Sequence, residues 1–346
     1  MGYIGIGFRR TRGTTVLDVH YPIILEGADV VASCLKLIGE SATGVATINQ
    51  DQYQTLRDTH FLTLPIDVAG ASDYHSHDVI VCSVTDLQAA IESTEEAYFK
   101  LQLLSQRLVK PHGQNLGGIF GQLPNIAWSS IGPILPEDVP SVQVAQSIKG
   151  TPLTITHVDK FPYMVNYHVP SGVRIADGSR VRLGAYLGEG TTIMPAGFVN
   201  FNAGTLGNAM IEGRISAGVV VGEDSDVGGG ASIMGTLSGG NDHVISVGKK
   251  CLLGANSGIG ISLGDGCTVA AGLYVTAGKK ITLVNESNQP VNVAGDVVSN
   301  GENIVKAAEL SGSNYRLFIE DSQTGEIICK PNTKVIQLNE ALHSNS

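Results

Sequence analysis

The sequence is poor in charge, in aromatic rings and in clustered thiols. Only 16% of its 346 residues are charged and 5% are aromatic, with a single Trp. That composition fits neither a solvated charged coil nor a platform of rings for stacking bases. The formal net charge of −10 argues against broad attraction to nucleic acid or to an anionic membrane. Five widely scattered cysteines, with no Cys-x-x-Cys, argue against a disulfide framework and for a reducing, cytoplasmic setting. No apolar run approaches the roughly 18 residues of a membrane span. The opening "MGYIGIGFRRT" lacks a signal-peptide core and has Ile6 where a myristoylation signal needs Ser or Thr. A soluble cytoplasmic protein is expected.

Glycine is the residue in excess: there are 43, without a Gly-X-Y period. Many sharp backbone turns are therefore expected, and collagen is excluded. From residue 175 aliphatic side chains recur every sixth place. The series runs Ile175, Val181, Leu187, Ile193, Val199, then Ile215, Val221, Val227, Ile233, then Val247, Leu253, Ile259, then Leu263, Val269, Val275, Ile281. Neither a 3.6-residue helix nor a two-residue strand alternation generates this spacing. A chain that turns a corner every six residues and buries one aliphatic per side does. Three sides close a triangular coil, and coils stack as parallel strands about 4.8 Å apart, which predicts a parallel β-helix of roughly six coils. Gly, Asn and Asp gather after the aliphatics, in "LGEGTT", "VGEDSD" and "LGANSG", where corners need angles that a β-carbon resists.

The rhythm slips between Val199 and Ile215, between Ile233 and Val247, and between Ile259 and Leu263. Each slip is read as a widened corner or an extruded loop, the part of a solenoid that carries function. Residues 1–168 read as a mixed α/β domain. It holds a strand in "HDVIVCSV" and capping-box spacings at Thr85/Gln88 and Ser93/Glu96 that start one long helix or two short ones. Pro124, Pro133, Pro136 and Pro140 mark an irregular connector. Residues 169–284 form the β-helix. Residues 285–346 form a small β domain with a hairpin in "NYRLFIEDSQTGEIICKP", and the two flanking domains cover the open coil ends.

Glu212, in "MIEGR", falls inside the first slip, so its side chain is placed to enter a cleft; the bland alternative is a solvated corner residue paired with Arg214. His243 is the sole histidine between residues 174 and 283 and is a rival base. One imidazole does not build a three-histidine metal site, and His75 and His77 lack Cys partners. Lys249, Lys250, Lys279 and Lys280 follow glycines, but the spacing fails the phosphate-loop pattern. Backbone amides and these lysines are still suited to holding an elongated anion.

The run "GFVNFNAGTLGNAMIEGRISAGVVVGEDSDVGGGASIMGTLSGGNDHVISVGKKCLLGANSGIGISLGDGC" resembles the longer-chain form of the tetrahydrodipicolinate N-succinyltransferase family, of bacterial lysine and diaminopimelate biosynthesis. The resemblance implies a left-handed β-helix, a homotrimer with active sites between subunits, and succinyl-CoA as co-substrate with no tightly bound cofactor. It implies that Glu212 is the catalytic acid, as nucleophile or as general base. It places donor contacts on Arg214, Gly229, Ser232 and Ala255, and on Gly278 and Lys306. Ala270, Ala271 and the stretch Ile319 to Ser322 fall along the same donor path. Some relatives hold magnesium through two acids; Ser179 and Ala196 stand at those positions here, so no metal is expected. Two other readings remain at this stage: another acyl-CoA transferase using His243 as base, and a non-catalytic trimeric scaffold.

Overall fold

A computed structural model describes residues 2–40, 44–60, 62, 69–238 and 242–333. Residues 239–241 of "SGGNDHV" and residues 334–346 of the segment expected to form a C-terminal β domain lie outside the described residues. The chain divides into two compact units, Met1–Leu103 with Gly113–Pro162, and Leu104–His112 with Tyr163–Ser346.

The first unit is built on an antiparallel sheet. A long hairpin, β1 (Tyr3–Arg12) and β2 (Thr15–Glu26), is followed by α1 (Ala28–Ile38), β3 (Gly44–Thr47), α2 (Gln50–His60), β4 (Ala69–Ala71) and β5 (Ser76–Val84). The order is β2-β1-β5-β3, with β4 also on β5. The strand read from "HDVIVCSV" is thus interior, which is why its last six residues are all buried. Of the two candidate helix starts, Ser93 operates: its Oγ accepts the Glu96 N–H at 3.1 Å, and α3 runs Thr94–Ser105. Residues 85–92 form turns instead, with the Leu87 carbonyl bonded to Asn115 and the Ile91 amide to Gly117. Gln102 of α3 acts as a backbone mimic at the sheet edge, accepting from the Tyr21 N–H at 2.8 Å and donating to the Val19 carbonyl at 2.9 Å.

The proline cluster is a correction. After a short α4 (Ile119–Gln122) it forms a three-stranded sheet, β6 (Ile126–Ser129), β7 (Gly132–Ile134) and β8 (Ile155–Asp159), with α5 (Val139–Ile148) between β7 and β8. Pro140 sits in the first turn of α5, where no N–H is needed, so these prolines punctuate elements and do not dissolve them.

The second unit contains the coil. Face I stacks Arg174–Ile175, Thr191–Ile193, Ala209–Ile211, Ser225–Val227, Leu252–Leu253 and Thr268–Val269. Face II stacks Phe198–Val199, Arg214–Ile215, Ser232–Ile233, Gly258–Gly260 and Tyr274–Thr276. Face III stacks Tyr186–Leu187, Gly204–Thr205, Val220–Val221 and Ser246–Val247. Every pairing among these strands is parallel. Face I has six rungs, matching the expected number of coils. All the six-spaced aliphatics except Ile175 are at most 3% exposed. Corners follow one rule: the third residue after a core aliphatic often has positive φ, as at Gly184, Asn202, Asp224, Gly230, Asn256 and Gly272.

Two of the three slips turn out differently. Between Val199 and Ile215 no side is missing: Thr205 occupies the face III column and Ile211 the face I column. The buried Thr205 hydroxyl lies 2.6 Å from Thr191 Oγ1, which satisfies a polar group in an aliphatic column. The irregularity is confined to a corner shortened by two residues at Glu212-Gly213-Arg214. The slip from Ile259 to Leu263 is likewise a shortened corner. Only Ile233 to Val247 is an extruded loop, pinned by the Thr236–Val244 bridge and by Ser238, which donates to the Gly260 carbonyl and accepts from the Ala277 N–H.

The top coil is closed by the chain's own tail. Arg316–Glu320 and Ile327–Pro331 form the expected hairpin around Gln323-Thr324-Gly325. The first of these strands pairs in parallel with the sixth rung of face I, Val269 opposite Phe318. The strand edge that the sixth coil would present is thereby used.

Candidate functional site

Ordinary corners between faces I and II place five residues between core positions, as from Val227 to Ile233. The third coil places three, Glu212, Gly213 and Arg214, between Ile211 and Ile215. Gly213 makes the short corner feasible. A β-carbon there would meet the Ala231 carbonyl and would lie 2.8 Å from Val227 Cγ1 and 2.9 Å from the Gly228 oxygen. Gly213→Ala is therefore expected to lower stability by about 1–3 kcal/mol, measured as a reduced denaturation midpoint; an unchanged midpoint would contradict this packing.

The Val227 carbonyl accepts both the Glu212 N–H (2.8 Å) and the Gly213 N–H (3.1 Å), which fixes the backbone at the carboxylate. The half-buried Glu212 side chain runs up the edge, with Oε2 3.4 Å from where a β-carbon at Gly229 would stand. A β-carbon at 229 would already be in van der Waals contact with the carboxylate, so the two positions adjoin. The ion pair with Arg214 does not form; Arg214 Nε instead donates to Ser232 Oγ at 2.8 Å. Among the described residues, no side-chain hydrogen bond or ion pair engages Glu212.

Above Glu212 the same edge carries Gly229, Ala255 and Ala271 on successive coils. The Asn256 N–H bonds the Gly229 carbonyl and the Gly272 N–H bonds the Ala255 carbonyl, each at 2.8 Å. Three coil steps at about 4.8 Å separate Glu212 from Ala271, so the edge from the carboxylate to the last of these small residues is about 14 Å long. At its upper end the Ala270 N–H bonds the Phe318 carbonyl, so Ile319 and the exposed Ser322 follow directly on the terminal hairpin. Gly278 does not join this strip: it follows the face II rung at the corner beyond face II, where the Ala277 N–H bonds Ser238 of the extruded loop, and Lys306 lies beside it, since Lys280 registers with Lys306 and the Ala307 N–H bonds the Lys279 carbonyl. The corner between faces II and III is covered by its own chain in the lower coils. Ser105 accepts from the Gly184 N–H, and His112 bonds Asn202 Oδ1 and the Gly218 carbonyl.

Beside Glu212, face II opens into a cleft of about 440 Å³ walled by Arg180, Phe198, Gly213, Arg214, Gly230 and Ser232, with Ala196 and Ala231. Arg180 was not singled out from the sequence. Its Nη2 donates to the Ala196 carbonyl (2.9 Å) and its Nε to the Gly197 carbonyl (3.2 Å). Two guanidinium groups in one cleft on a chain of net charge −10 make a local site for a carboxylate or another anion.

The rival residues lie elsewhere. His243 is exposed at the base of the extruded loop, on the edge between faces II and III. Lys249 and Lys250 occupy the corner between faces III and I, where Lys249 faces Glu223 at 3.5 Å, so they do not join Lys279 and Lys280. His77 packs on Phe8 in the first unit, and burial and the nearby Arg10 pull the His75 pKa down. The residues at 179 and 196 do not suit a magnesium ion. Ser179 Oγ is spent on Asp177 Oδ1, and Ala196 offers only a carbonyl that already accepts from Arg180.

Two family models match. That described as the middle of tetrahydrodipicolinate N-succinyltransferase covers residues 123–163, and the hexapeptide repeat of succinyl-transferase covers 244–277. The chain is 48% identical to a Pseudomonas paraeruginosa protein named 2,3,4,5-tetrahydropyridine-2,6-dicarboxylate N-succinyltransferase, over 99% of this chain and 97% of that one. It is 45% identical to the Vibrio cholerae protein of the same name, over the full length of both. A solved Campylobacter jejuni structure, titled as a 2,3,4,5-tetrahydropyridine-2-carboxylate N-succinyltransferase, aligns with a TM-score of 0.80 and 35% identity over 97% of this chain and 93% of that one. The coil is therefore a left-handed β-helix of hexapeptide repeats, and the chain belongs to the 2,3,4,5-tetrahydropyridine-2,6-dicarboxylate N-succinyltransferase family.

Proposed function

We propose that the protein transfers succinyl from succinyl-CoA to the amine of ring-opened tetrahydrodipicolinate, a step of diaminopimelate and lysine biosynthesis, and that Glu212 carries the proton chemistry. Family membership supports the overall reaction. The observation that carries the site is a half-buried carboxylate with no side-chain hydrogen bond or ion pair among the described residues, at the foot of a strip of small residues and next in sequence to the cleft that Arg180 and Arg214 line.

The chemistry follows from those groups. The acceptor nitrogen arrives as an ammonium and must lose a proton before it attacks. Glu212 takes that proton and passes it to solvent, the free amine adds to the thioester carbonyl carbon, Glu212 takes a second proton from the nitrogen of the tetrahedral adduct, and collapse breaks the C–S bond to give amide and CoA thiolate, which receives that second proton. An anhydride on Glu212 would be a more activated acyl group than the thioester it came from. The base role therefore asks less of the site. The strip from Gly229 to Ala271 suits the narrow arm of CoA, and the lysines near Gly278 and Lys306 suit its phosphates.

A thiol-release assay with succinyl-CoA and the cyclic dicarboxylate tests this reading. CoA release that requires both substrates supports it; release of one equivalent per site without acceptor would overturn the base role. A pure scaffold is separated by thermal shift. At a free succinyl-CoA concentration 100 times its Kd, the donor should stabilise the protein by about 2.7 kcal/mol, and no shift would contradict a donor site. We further propose a homotrimer, which sedimentation should report as three times the mass of the chain.

A further inference from the structure

Face II carries one outward column across five coils, in register: Phe198, Arg214, Ser232, Gly258 and Tyr274. Tyr274 is two rungs above Ser232, too far for neighbouring side chains that stand upright. It reaches because Gly258 lies between them. A β-carbon at 258 would overlap the Tyr274 ring, so the ring lies down over the glycine and its hydroxyl donates to Ser232 Oγ at 3.2 Å. The same oxygen accepts from Arg214 Nε at 2.8 Å.

A serine hydroxyl has two acceptor lone pairs and one proton. With Arg214 and Tyr274 on the lone pairs, Ser232 acts toward any ligand only as a donor. Arg214, held through Nε, keeps its two terminal nitrogens for the cleft it lines. An O–H donor and a guanidinium thus converge from the same wall, which suits a carboxylate oxygen.

We propose that Tyr274 is a positioning residue. By occupying the second lone pair of Ser232, it sets that hydroxyl as a donor beside Arg214 and gives the cleft its preference for an acyl donor ending in a carboxylate. This deepens the reading of the cleft as the acyl-donor site and rests on it.

The test compares dissociation constants of succinyl-CoA and acetyl-CoA by calorimetry without acceptor, for the full-length wild type, Tyr274→Phe, Ser232→Ala and the double variant. Tyr274→Phe, which removes one neutral hydrogen bond, is expected to cut the preference for succinyl-CoA about three- to tenfold. In the Ser232→Ala background it should have no further effect, because the two act as a unit. A purely structural role would weaken both donors alike and leave the ratio intact. Equal wild-type affinity for the two donors, an unchanged ratio in Tyr274→Phe, or additive effects would overturn the proposal. Failure of the wild type to bind either thioester would instead overturn the donor-site reading.

Discussion

Glu212→Gln should leave a folded protein whose turnover is lower by a factor of about 10² to 10⁴, the usual contribution of a positioned general base. The substitution keeps size and shape at a corner where the side chain makes no hydrogen bond or ion pair among the described residues. Stability should therefore hold, within about 0.5 kcal/mol. Donor affinity should change little, because the strip at Gly229, Ala255 and Ala271 is untouched. The informative comparison is His243→Ala, on another edge of the column, which should retain most of its activity. If the histidine change abolished turnover and the glutamine change did not, the base would be His243 and the assignment would fail.

Leu253→Ala should cost about 2–5 kcal/mol. Leu253 is fully buried and stacks in the face I column between Val227 and Val269, with which its strand is in register. Ladder hydrogen bonds on both sides restrain the coils from closing on the vacated space, so a cavity remains and its lining loses contacts outright. Ile148→Ala makes the contrast: that side chain is 82% exposed on α5, and its loss should move stability by no more than about 0.5 kcal/mol. Denaturation midpoints check both, and similar values for the two would contradict the column as the source of stability.

The column was legible in the sequence because each coil repeats one physical demand, an aliphatic side chain inward at every sixth place. Glu212 stood out as a candidate because the rhythm fails around it. What could not be read was the kind of failure. Counting aliphatics alone made Val199 to Ile215 one long gap, since Thr205 is polar and its burial depends on Thr191, 14 residues earlier in the chain. With Thr205 and Ile211 restored to their columns, the slip shrinks to a corner two residues short, and that shortness sets where the Glu212 carboxylate lies. The proline cluster misled for a related reason: Pro140 breaks a helix from inside but fits its first turn. Arg180 and Tyr274 gave no signal, because their partners lie 16 to 42 residues away and meet them only through stacking.

The central claim is that one edge of the column, from Glu212 past Gly229 and Ala255 to Ala271, cradles a thioester. The most direct measurement is a crystal structure of the Glu212→Gln variant with succinyl-CoA. The arm of the donor should run along that edge, with its thioester carbonyl beside residue 212 and its terminal carboxylate on Arg214 and Ser232. A donor lying along either of the other two edges, with residue 212 out of reach of the thioester, would contradict the account.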